Sequence, residues 1–141
     1  MNRTTQSTLL GLLLALGGGT ISAAELRVDV TGVESANGEI LAALYDKTDT
    51  WLKKPLKRDI VAATKGTTLI VFTDLPAGDY ALSVFHDTDG DKKMGRNVLG
   101  VPTEPFGFSR DASGLFGPPS FDEAKVAVPA AGATATIKLK N

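Results

Sequence analysis

Residues 67–86, TTLIVFTDLPAGDYALSVFH, decide how this chain folds. TTLIVFT at 67–73 and DYALSVFH at 79–86 are rich in β-branched and aromatic side chains, the composition of strands. Between them, Leu75-Pro76-Ala77-Gly78 combines a fixed proline φ with a residue lacking a Cβ, which is the chemistry of a tight turn. Working toward the N-terminus, residues 59–64 form a weaker strand, and residues 39–46 (EILAALYD) carry apolar side chains on both parities, as a strand buried on both faces does. Asn37-Gly38 is a strong turn signal, and before it Leu26, Val28 and Val30 alternate with Arg27, Asp29 and Thr31. Toward the C-terminus, residues 125–128 and 133–140 complete the set, with Ala135, Ile137 and Leu139 alternating against Thr134, Thr136, Lys138 and Lys140. About seven short strands, with no helical period long enough to cross over a parallel sheet, predict an all-β fold. The expected form is an antiparallel β-sandwich, immunoglobulin-like or transthyretin-like, with one long ordered loop.

The first 24 residues read as a secretory signal peptide. Arg3 gives the positive start, Leu9 to Leu16 a short apolar run, and Ser22-Ala23-Ala24 a small-residue cleavage site. The run is broken by Gly17-Gly18-Gly19, well short of the roughly 20 apolar residues a membrane span needs. Residues 25–141 are then one domain, periplasmic or secreted, with no membrane span in the mature form. The chain has no cysteine, so packing or a bound ion must replace the disulfides common in exported domains. Its formal net charge is −1, made more negative by the loss of Arg3, which argues against nucleic acid or an anionic membrane as the main partner. Lys53, Lys54, Lys57 and Arg58 read as a solvated edge.

Residues 87–121 interrupt the strand pattern. They hold four of the seven prolines and four of the six phenylalanines. Loops longer than about 12 to 15 residues are uncommon in compact domains unless functional or disordered, and aromatics argue against disorder. Phe106, Phe108, Phe116 and Phe121, spaced by glycines and Pro118-Pro119, are the candidate ligand-binding residues. The alternative, which the sequence favours, turns these rings inward to pin the loop. Two helical turns are expected, one at residues 50–54 capped by Asp49 and one from Ser120, whose spacing to Glu123 makes a capping box. Trp51 is expected to plug one end of the sandwich.

Asp87, Asp89 and Asp91 alternate directly after a strand. Loops of this kind offer carboxylates at positions one, three and five and a backbone carbonyl at seven, here Lys93, to calcium. The sixth position is Lys92, where such a loop wants glycine, and the twelfth is Val98 where it wants glutamate, so Glu104 or Asp111 must return to complete the shell. The candidate metal set is therefore Asp87, Asp89, Asp91, Lys93 and Glu104, with Ca2+ as the only cofactor in view. The competing reading is a solvated acidic hairpin neutralised by Lys92, Lys93 and Arg96. Extracellular calcium modules bind at about 0.1 to 1 mM, so millimolar calcium would add roughly 0.4 to 1.4 kcal/mol of stability.

Catalytic signatures are thin. His86, the one histidine, shares a strand face with Tyr80, Leu82 and Val84 and reads as structural, with a metal ligand or proton shuttle as the alternative. Gly107-Phe108-Ser109-Arg110-Asp111 approaches the nucleophile-elbow pattern but lacks its last glycine. No catalytic residue is assigned.

FHDTDGDKKMG, NVLGVPTEPFGFS and GLFGPPSFDEA together resemble the signature of a bacterial exported family, domain of unknown function 2141, across essentially the whole of residues 25–141. That resemblance implies a small secreted or periplasmic β-sandwich with no established substrate and no catalytic residues to carry over. LPAGDY is also similar to the L-P-x-G-x-Y segment of transthyretin-like and carboxypeptidase-regulatory-like modules, which supports the fold alone. Hydrolases of the transthyretin-like fold use several histidines and a tyrosine-arginine-glycine-serine ending, whereas this chain has one histidine and ends TIKLKN. The expected function is an exported binding or accessory module, not an enzyme, whose ligand is a small molecule or a cell-envelope partner. The alternative is a carboxylate-based or metal-assisted hydrolase using residues 87–91.

Overall fold

The computed structural model describes residues 23–141, so the expected signal peptide lies outside the described residues up to position 22. Among the described residues eight strands form two sheets: β1 (Ala24–Val33), β2 (Glu39–Tyr45), β3 (Lys57–Ala62), β4 (Gly66–Leu75), β5 (Gly78–Asp87), β6 (Phe106–Phe108), β7 (Val126–Val128) and β8 (Ala133–Lys138). One sheet runs β4-β1-β8 and the other β3-β2-β5-β6, with β7 also paired to β5. The period of two in the sequence becomes the sandwich core: Leu26, Val28, Val30, Ile70 and Ile137 face Ile40, Leu44, Leu82 and Val84, all essentially without solvent contact. The turn at 75–78 carries the chain from one sheet to the other. Tyr80 fastens it by donating its hydroxyl to the Pro76 carbonyl at 2.5 Å.

Two strand expectations need correction. The sandwich is not wholly antiparallel, because β8 runs parallel to β1 from Leu26 opposite Ala133 to Thr31 opposite Lys138. Alternation has the same period in both kinds of ladder, so the sequence pattern carried no information on direction. The long loop is also not continuous: β6 lies inside it, pairing Phe108 with Ser83 and Phe106 with Phe85 of β5. Phe106 further exchanges both backbone hydrogen bonds with Lys140, tying the two sheets together at this edge.

The outer face of the five-stranded sheet carries a second, smaller core. Tyr45 and Ala81 lie under Phe121 and Ala124 of a short helix, α1 (Phe121–Ala124), with Trp51, Phe108 and Ala112 packed beside them. The capping box is present as expected: Ser120 accepts from the Glu123 N–H while Glu123 accepts from the Ser120 N–H. Trp51 sits on this face, not over an end of the inter-sheet core. Its ring lies 5.0 Å from Tyr45 and 6.1 Å from Phe121, and its indole N–H donates to the Pro119 carbonyl at 2.8 Å. A turn does form at 50–54, the Thr50 carbonyl accepting from the Lys53 and Lys54 N–H groups, but Leu52 at φ +56° keeps it from being helical. A 3-10 turn at Thr48–Thr50 precedes it, flanked by Lys47, so Asp49 lies inside that turn and caps nothing.

Candidate functional site

Ser109 explains why the long excursion is ordered. Its hydroxyl is fully buried, accepting from the Leu82 N–H at 2.8 Å and donating to the Ala124 carbonyl at 2.5 Å, so one side chain clamps the segment after β6 to both β5 and α1. With both hydrogen bonds committed, it is not presented as a nucleophile. Asp111 is committed too, accepting from the Lys138 N–H at 2.8 Å, and it does not return to the aspartate loop. The sequence offered only an incomplete nucleophile motif here, and the clamp role carried no local signal.

Two features share the outer face. The first is a groove of about 780 Å3 between this face and the two halves of the excursion, with Leu52, Phe85, Leu99, Val101, Phe106 and Phe116 among its walls. Phe108 reaches both the groove and the aromatic cluster. The four loop phenylalanines therefore divide. Phe121, the first residue of α1, is buried in the cluster with Tyr45 and Ala81; Phe106 and Phe108 are half-buried in edge-on contact 6.0 Å apart, and Phe116 is 98% exposed. Leu99 at 83% and Leu115 at 89% exposure join Phe116 on the rim. Among the described residues Arg96 is the one charged residue lining the groove, and its guanidinium donates to the Gly100 carbonyl at 2.9 Å.

The second feature lies at the end of β5. The β5–β6 register pairs Phe85 with Phe106, and continuing it sets Asp87 opposite Glu104; the His86 N–H donating to the Pro105 carbonyl at 2.8 Å holds that alignment. Asp87 is fully buried and accepts from the N–H groups of Gly90 at 3.0 Å and Lys92 at 2.8 Å. Asp89 accepts from the Asp91 N–H and Asp91 from the Lys93 N–H, curling the loop on itself. Lys92 takes a φ of +63°, the left-handed conformation for which a calcium loop uses glycine at its sixth position. Gly38 has to be glycine for this packing, because its φ is +68° and a Cβ there would collide with the Asp87 carbonyl. A short hairpin then brings Glu104 back: the Thr103 N–H donates to the Gly95 carbonyl at 2.8 Å, and the Gly95 N–H to Glu104 Oε2 at 3.1 Å. Asp87, Asp89, Asp91 and Glu104 each thereby offer an oxygen within 4.8 Å of the others. Burial, with the charges of Asp89, Asp87 and Asp91 added, raises the Glu104 carboxyl above its ordinary pKa, against the lowering effect of the Gly95 N–H. The remaining member of the expected set, Lys93, is exposed and placed in the same loop.

His86 stands apart from this cluster. It is buried, and its Nε2 lies 2.6 Å from the Asn37 carbonyl, which can only accept, so Nε2 carries the proton. Lys57 at the basic edge donates to the Thr73 carbonyl, and no helix among the described residues is long and apolar enough to cross a membrane. No curated protein and no solved structure matches the chain. A family model does, over residues 28–137: the chain belongs to the family described as an uncharacterized protein conserved in bacteria, DUF2141.

Proposed function

We propose that the protein is an exported binding module that holds an apolar small molecule bearing one acidic group in the groove on its outer face. The observation that carries this reading is a cavity of about 780 Å3 walled by aliphatic and aromatic side chains, several of them nearly fully exposed, around Arg96, the one cation lining it among the described residues. Small-molecule sites are of this kind, roughly 300 to 1,000 Å3, mostly apolar, with a few polar groups that fix orientation. Phe116, Leu99 and Leu115 leave water only if something covers them, and burial of each would contribute about 1.5 to 3 kcal/mol. Arg96 offers a carboxylate or phosphate the remaining donors of its guanidinium. Export rests on the N-terminal segment, and the absence of cysteine fits a domain stabilised by packing alone or with an ion.

The hydrolase reading has less support. The four clustered carboxylates converge, but none of them lines the groove, and His86 is buried in the interior.

A fluorescent long-chain fatty acid and the matching fatty alcohol are the test probes. Saturable binding of the acid, weaker binding of the alcohol, and a loss of at least about tenfold in the Leu99→Ser, Phe116→Ser double variant are expected. If neither probe binds, or the double variant binds as the parent does, the groove is not the site.

A further inference from the structure

We propose that Asp87, Asp89, Asp91 and Glu104 bind one calcium ion at the end of β5, beside the groove. Proximity of acids alone would not carry this, since a solvated acidic hairpin would show the same sequence. Glu104 is the deciding residue. It is only 6% exposed, its Oε2 is held by the Gly95 N–H, and its Oε1, which has no hydrogen-bond partner among the described residues, belongs to the carboxylate gathered with the three aspartates. A buried carboxylate oxygen left without a donor is costly, and a cation removes that cost.

Of the three basic residues that could neutralise the loop, Lys92 pairs its ammonium with Glu39, Arg96 donates to the Gly100 carbonyl, and the exposed Lys93 makes no ion pair within 4.0 Å among the described residues. Among the described residues, no ion pair within 4.0 Å involves Asp87, Asp89, Asp91 or Glu104. Four carboxylates are therefore drawn together by the fold with no side-chain cation between them.

The chemistry selects the ion. An all-oxygen, carboxylate-rich set suits a hard cation, not one that prefers imidazole or thiolate. Oxygens within 4.8 Å of one another fit around calcium, whose ligands lie about 2.4 Å from it and number about six to eight, so that backbone carbonyls and water complete the shell. Magnesium demands tighter octahedral geometry and gives up its water reluctantly. The hairpin that returns Glu104 also supplies Met94, Arg96, Leu99 and Val101 to the groove wall, so the ion would fix that wall in place. The site stands whether or not the groove takes the ligand proposed for it.

The test is calorimetric titration of the EDTA-treated protein with calcium chloride, together with thermal unfolding. One site per chain with a Kd at or below about 1 mM is expected, and a midpoint about 5 to 10 °C higher in 10 mM calcium than in EDTA. Asp89→Asn and Glu104→Gln should each lose at least about tenfold in calcium affinity while melting in EDTA no lower than the parent, because each relieves repulsion. Asp89 is exposed and its asparagine replacement can still accept from the Asp91 N–H, so that variant remains informative if Glu104→Gln does not fold. No heat of binding with equal midpoints in calcium and EDTA would overturn the proposal. So would parental calcium affinity in the Asp89→Asn variant, and an equal shift from magnesium would overturn the choice of ion.

Discussion

On its inner face the five-stranded sheet presents Ile40, Leu44, Leu82 and Val84 to the three-stranded sheet, and scarcely any of that surface reaches water. On its outer face the same strands present Tyr45, Ala81, Ser83, Phe85 and Asp87, which are covered unevenly: an aromatic cluster beneath α1, an open groove in the middle, and four clustered carboxylates at the end of β5. The inner face is closed by regular strands, whose alternate side chains are buried against the facing sheet. The outer face is closed by an irregular excursion that anchors at a few points, Ser109 above all, and leaves space between them. Binding surface therefore arises where the covering is incomplete, and stability where it is complete.

The sharpest way to break this comparison is to truncate one large side chain on each side. Leu26→Ala in the inner core should cost about 2 to 5 kcal/mol by urea unfolding, whereas Phe116→Ala on the groove rim should change stability by less than about 0.5 kcal/mol. Similar costs for the two would mean that the outer covering is as integral to folding as the inter-sheet core. A smaller effect tests the anchor. Ser109→Ala leaves the Leu82 N–H and the Ala124 carbonyl buried without their partner, so a loss of about 1 to 3 kcal/mol is expected. Amide exchange should speed up around residues 109–124 while β1 and β4 keep their protection relative to the global limit. Uniform acceleration across all strands would show that the excursion does not open separately. The smallest effect is at the helix cap, where Ser120→Ala should lower the thermal midpoint by about 2 to 5 °C. The Ser120 N–H and hydroxyl hold the Glu123 carboxyl below its ordinary pKa. That depressed value means its contribution is present above the unfolded pKa and fades as pH falls through the folded one. The midpoint difference between parent and Ser120→Ala should accordingly shrink in acid, and a difference independent of pH would assign the cap to the hydroxyl alone.

Regular strands were legible because burial on one face imposes a period of two, and the strands of residues 26–30, 67–73, 79–86 and 133–140 all announced themselves. β6 was not, since three residues of FGF carry no period, and it forms only because β5 offers an unpaired edge. The candidate metal residues were legible by type and spacing as far as Asp91. Glu104 was one of two possible completions, and the sequence could not choose between it and Asp111, because the choice depends on the β5–β6 register and on Asp111 being taken by the Lys138 N–H. The phenylalanines were legible as important but not as divided between packing and exposure, which depends on which surface each loop segment meets.

Local chemistry alone, then, determined the longer strands, the turn at 75–78, the capping box and the aspartate loop, for each depends on neighbours within a few residues. Only the tertiary structure decided the parallel β1–β8 pair, the Ser109 clamp, the meeting of Asp87 with Glu104 and the groove beside them. These are contacts between segments far apart in the chain, and the free energy that selects them comes from surfaces that exist only once the two sheets have closed on each other.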